Sequence, residues 1–151
     1  MSTATLVNIP DEYRELVVEH FEDRSREEVH RQIDECLKFL HIVSVNKGRF
    51  IPLTREADEV WHEMIVQTKF YMDLCESLPG KRYIHHQSVG FAEYGERIGK
   101  HKAVSQFLEW VPDYLETFGE FTPETAKDWA VVQFLQQEFN LTLEQINNLE
   151  R

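Results

Sequence analysis

The sequence predicts an all-α fold: one helical domain over residues 1–151, built of five to seven helices, with one long ordered loop at about 79–99. Three observations carry that reading. Apolar residues recur at three- and four-residue spacing along most of the chain. Helix starts and stops punctuate those stretches. Only Tyr83–Ile84–His85–His86 offers a short extended run. At 151 residues, 42% hydrophobic and 12% aromatic, the chain has enough apolar material for one real core.

Each element has its own justification. Pro10 with Asp11 and Glu12 makes a helix start, the acids lying at the positive end of the dipole. Tyr13, Leu16, Val17, His20 and Phe21 follow at helical spacing. Ser25 and Glu28 form a capping box that opens a second helix. Its stripe is Val29, Ile33, Cys36, Leu37, Leu40 and Val43, and it ends near Asn46–Gly48. Phe50–Leu53 is a short apolar connector containing Pro52. Thr54 caps a third helix, expected to run unbroken to about Leu78 because no Gly or Pro falls in 55–78. Its apolar face is Ala57, Val60, Trp61, Met64, Ile65, Thr68, Tyr71, Met72, Cys75 and Leu78.

Four of the six glycines lie between Pro79 and Gly99, and a loop of that length inside a compact domain suggests function. Helical spacing resumes with Val104, Phe107, Leu108, Val111, Tyr114, Leu115 and Phe118, with a kink or restart expected at Pro112. Thr122–Pro123 is expected to open a helix reaching about Asn140, the most buried of the set. Thr142 with Gln145 forms a capping box for the last helix, and Leu141 with Ile146 its staple.

Charge narrows the function classes. The formal net charge is −11, from 16 Lys+Arg against 27 Asp+Glu. Residues 101–151 carry 3 basic and 9 acidic side chains, a net −6. Such a surface repels phosphate backbones, so no nucleic-acid partner is expected. A mean hydropathy of −0.47 and the lack of a long apolar run argue against a membrane partner. MSTATLVNIPDEYRE lacks the basic flank and apolar stretch of a secretory signal. Two cysteines make at most one bridge, which points to a cytoplasmic, reduced protein. One stretch opposes the trend: Lys81, Arg82, Arg97, Lys100 and Lys102 against Glu93 and Glu96 give residues 80–102 a net +3. These five cations mark an anion- or partner-facing loop.

One constellation carries chemistry: Asp58-x-x-Trp61-His62, then Thr68, Tyr71, Cys75 and Ile84-His85-His86. Asp58 and His62, four residues apart, share a helix face. A carboxylate that orients an imidazole suits a metal ligand or a general base. His62 and Cys75 lie about 20 Å apart on an unbroken helix and cannot share an ion. Cys75 therefore reads as an inert core thiol, as does Cys36. A set of Asp58, His62 and one of His85 or His86 would leave open coordination positions and suit zinc or iron. His20, His30 and His41 form no ligand pattern.

At these residues the chain resembles the glycine-rich domain-containing protein-like family. The resemblance rests on Asp58, Trp61, His62, Ile65, Thr68, Tyr71, Cys75, Ile84, His85 and His86, and covers about residues 37–87. It implies a short bacterial-type member without the glycine-rich segment of the larger plant proteins, and it implies no particular reaction. Many members carry a second histidine two residues after the first, where this chain has Met64.

The leading expectation is a small acidic interaction domain without catalysis of its own, of the immunity or antitoxin kind, facing a basic protein partner. It would bind through the 80–102 loop or through the acidic C-terminal third, with the motif side chains Asp58, Trp61, His62, Tyr71, His85 and His86 as further binding candidates. The alternative is a metal-binding domain or metal-dependent enzyme using Asp58, His62 and His85/His86. A third reading makes the motif a lock that holds the loop onto the third helix.

Overall fold

The computed structural model describes residues 6–45, 52–86, 105 and 108–149. Seven α-helices and one 3-10 turn make up the described fold, which is all-α. In chain order they are α1 (Asp11–His20), α2 (Arg26–Val45), α3 (Arg55–Val66), α4 (Thr68–Ser77) and α5 (Trp110–Phe118). The turn (Thr125–Asp128), α6 (Ala130–Glu138) and α7 (Leu143–Asn147) complete the set. None is long and apolar enough to cross a membrane.

The helix α2 is the spine, packing against α1, α3, α5 and the 3-10 turn. Its start is the cap expected of Ser25, whose Oγ accepts from the Glu28 amide at 3.1 Å. It buries Ile33, Cys36, Leu37 and Leu40, and also a second row of Gln32, Glu35, Phe39 and Ile42. A helix buried on two sides in this way is enclosed by neighbours. The most buried helix is therefore α2, not the one after Pro123: α6 buries Val131, Val132 and Leu135 and exposes its last turn.

Two expected helices are interrupted. The third breaks at Gln67, whose φ of −80° and ψ of 68° place it in inverse γ-turn geometry. The break frees carbonyls at the end of α3, and the buried Tyr13 hydroxyl donates to one of them, Met64 O, at 2.8 Å. It also turns α4, so that Leu74 goes inward and Met72 stands 53% exposed. The helix expected from Thr122 becomes the 3-10 turn followed by Trp129 in extended conformation. Trp129 forms an isolated antiparallel bridge with Leu53, and the Thr54 amide donates to Asp128 O at 3.0 Å. This pairing fastens the connector before α3 to the C-terminal half.

Other expectations are met. Pro112 falls in the first turn of α5, which fits a restart. Thr142 and Gln145 close a reciprocal capping box, with Ile146 buried. Tyr114, in the apolar spacing of α5, is core, and Trp110 and Trp129 are buried with it. Most of the expected 79–99 loop, with Phe91 and Tyr94, lies outside the described residues, as does the Asn46–Gly48 stop. Its first residues, Pro79–His86, are irregular backbone that returns along α3.

Candidate functional site

That return path builds the site. Gly80 packs against the end of α2 so closely that a Cβ there would stand 1.8 Å from Ser44 O. The Gly80 amide donates to Ser44 Oγ at 3.3 Å. Arg82 donates to Val43 O, a carbonyl in the last described turn of α2. The segment then crosses to α3 and α4. Tyr71 donates to Ile84 O at 2.6 Å and accepts from Trp61 Nε1 at 3.1 Å. Burial pushes the Tyr71 phenol well above its ordinary value, so it stays protonated and keeps donating. The His86 ring lies on Trp61, 4.4 Å between centroids, and edge-on to His62 at 5.6 Å. Its Nε2 donates to Asp58 Oδ1 at 2.8 Å.

Of the sequence motif, Asp58, Trp61, His62, Tyr71, Ile84 and His86 thus meet. Its i, i+4 pair is not the contact, however: Asp58 bonds His86 from the returning segment, and His62 stays exposed beside them. His85 points the other way, exposed, with its ring 4.7 Å from Tyr83. The metal set of Asp58, His62, His85 and His86 is not drawn around a point. Among the described residues no group of three His, Cys, Asp or Glu side chains is placed to hold a metal ion. Cys36 and Cys75 are free and buried, and burial raises both thiols above the ordinary value.

Of the cationic loop, Lys81 is exposed, but Arg82 is turned inward onto α2 rather than toward an anion. Arg97, Lys100 and Lys102 lie outside the described residues.

An open cleft of about 370 Å³ lies where the end of α1 meets α3. His20, Phe21, Asp23 and Arg24 line one wall, Asp58, Glu59, His62 and Glu63 the other, and His86 closes one end. Four carboxylates thus face one guanidinium, a formal −3 with the imidazoles neutral. Arg24 is committed: its side chain is 6% exposed, lies 4.5 Å over the Phe21 ring and donates to Asp23 and Glu59. Burial opposes its charge, but these two carboxylates overcome that and raise its pKa; the same hydrogen bond lowers that of Asp23. Glu63 stands 3.4 Å from His20 and accepts from Gln67 at 3.3 Å.

Sequence reasoning missed His20, Asp23, Arg24, Glu59 and Glu63, because they come together only when α1 folds against α3. It also missed the buried Glu35, which accepts from Tyr114 at 2.8 Å, Trp129 Nε1 at 3.0 Å and Lys38 at 2.9 Å. The regular spacing of positions 32, 35, 39 and 42 was the available signal. No protein-family model matches the chain, and neither a curated protein nor a solved structure is significantly similar to it.

Proposed function

We propose that the chain is a small acidic binding domain of the cytoplasm, without catalysis of its own, that engages a basic protein partner through the α1–α3 cleft. The observation that carries this reading is the cleft itself, concave and lined by four carboxylates against one already committed guanidinium. The net charge of −11 adds a long-range field of the same sign, which speeds encounter with a basic partner. The membership suggested by the motif belongs to the same proposal. A role of the motif as a lock is supported by Trp61, Tyr71, Ile84, His86 and Asp58, which together tie the segment after α4 to α3. In our reading the lock shapes the cleft and the cleft does the binding.

The test is titration of the protein with a lysine-rich decapeptide. Affinity should fall about tenfold or more between about 0.05 and about 0.3 M salt. Asp58→Asn/Glu63→Gln should weaken binding about tenfold, and Glu120→Gln/Glu138→Gln, which removes as much charge elsewhere, by less than about twofold. Equal losses in the two variants would show a diffuse charge effect and overturn the cleft as the binding surface.

A further inference from the structure

The wall of the cleft continues inward through Arg24. Besides Asp23 and Glu59, its guanidinium reaches two further groups. Nη1 donates to the Glu56 carbonyl, in the first turn of α3, at 3.0 Å and to Gln32 Oε1, on α2, at 3.1 Å. A guanidinium only donates, so Gln32 turns its oxygen to Arg24, and its amide nitrogen is the end left to bond the Asp128 carboxylate. Asp128 is gripped there by both arms of Arg31. Its backbone carbonyl accepts from the amide of Thr54, the residue that caps α3. The contacts close a ring around the start of α3: Arg24, Gln32, Asp128, Thr54, and back through Glu56 to Arg24. Gln32 and Asp128 are each 1% exposed and the Arg24 side chain 6%, so the ring lies almost wholly out of water.

We infer that Gln32 couples the cleft to the C-terminal half: its amide, held in one orientation, ties the seating of Arg24 to the Arg31–Asp128 clasp, so a change in what Arg24 holds is felt at the 3-10 turn. The groups alternate in sign along the way. Carboxylates of Asp23 and Glu59 face the Arg24 guanidinium, which faces the negative end of the Gln32 amide. The positive end of that amide faces the Asp128 carboxylate, and Asp128 faces Arg31. Each group polarises the next in the same sense, the arrangement in which buried hydrogen bonds reinforce one another. The relay belongs to the fold, whatever the cleft binds. A Gln32 that only fills space would transmit nothing. A plain field of charge would act without the amide and would be screened by salt.

The NMR signal of the Arg31 Nε–H, which bonds the Asp128 carboxylate, reports on the far end of the relay. The perturbation is Glu59→Gln, at a side chain 44% exposed, which takes one carboxylate from Arg24. In the otherwise unaltered chain it should move the Arg31 signal by about 0.1 ppm or more, and the shift should persist at about 0.5 M salt. Gln32→Met keeps the bulk of the side chain without its amide. In that background Glu59→Gln should move the signal by less than about a third as much. Gln32→Glu keeps an acceptor for Arg24 and loses the donor to Asp128, and transmission should fail there as well. Reciprocity requires that Asp128→Asn move the Arg24 Nε–H signal, and that Gln32→Met remove this effect too. No shift at Arg31 in the chain that retains Gln32 overturns the inference. Equal shifts with and without the Gln32 amide assign the effect to charge acting through space and overturn it as well. If neither Gln32 variant folds, the salt series decides: a shift that vanishes in salt overturns the relay, and one that persists supports it. The basic-partner reading stands or falls separately, with the decapeptide titration.

Discussion

Tyr71 joins the two halves of the site through a single oxygen. Its hydroxyl receives the Trp61 indole proton and gives its own to Ile84 O, and all three groups are buried. Tyr71→Phe would leave both partners without a hydrogen bond in a dry interior, at a cost of about 1–3 kcal/mol in urea unfolding. The Trp61 emission spectrum should shift with it, because the indole loses its acceptor. Glu35 works by the same logic. A carboxylate 1% exposed is tolerable because Tyr114, Trp129 and Lys38 all point protons at it. Asp128, also 1% exposed, takes both arms of the Arg31 guanidinium at 2.9 and 3.0 Å. Burial nevertheless raises the Asp128 pKa, since the guanidinium only partly offsets desolvation. Types and spacing marked Asp58, Trp61, Tyr71 and His86 as belonging together. For Glu35 only the spacing of positions 32, 35, 39 and 42 hinted at burial, and nothing local marked Asp128, because Tyr114, Trp129 and Arg31, which satisfy the two carboxylates, lie far away along the chain.

At the scale of elements, helix starts were the most legible feature, because a cap is a local transaction between a side chain and an amide three residues on. Ser25, Thr54 and Thr142 each accept from the amide three residues on, and Thr142 closes the full capping box with Gln145. The interruptions were not legible. Gln67 carries no intrinsic break signal. Its turn is held by tertiary bonds, with Tyr13 donating to Met64 O and with Tyr71 and Leu74 brought onto the core. Trp129 leaves the helix for a like reason, its extended backbone pairing with Leu53 while its ring reaches Glu35. Gly80 marks a helix end in the sequence, and its larger duty is close approach to the end of α2. Gly80→Ala would drive a methyl group into the Ser44 carbonyl and should destabilise the protein by about 1–3 kcal/mol. Amide exchange should show protection lost first in the last turn of α2 and at Tyr83–His86.

For the whole molecule, charge and burial set the pH response. His41 sits half-buried at the edge of α2 with its ring 5.2 Å from Phe118, and burial lowers its pKa from the ordinary 6.5. The folded state therefore holds fewer protons at this site than the unfolded chain just below that value. Stability from His41 is present above about pH 6.5 and declines as pH falls through the window down to the lowered folded value. His41→Gln should flatten the pH dependence of the melting temperature in that window and leave it unchanged well above it. The net charge of −11 was legible from composition alone, but where it concentrates was not. In the sequence the positive stretch from Lys81 onward stands out. The structure turns Arg82 inward and gathers Asp23, Asp58, Glu59 and Glu63 into one cleft instead. The sequence by itself determined the helical class, the helix starts and the residues of the motif, since periodicity and capping act within a few residues. Only the tertiary structure decided where two helices break, that His86 rather than His62 or His85 meets Asp58, and that an acidic cleft exists. Each of those depends on groups distant in the chain that meet only when α1, α3 and the segment after α4 bury one another.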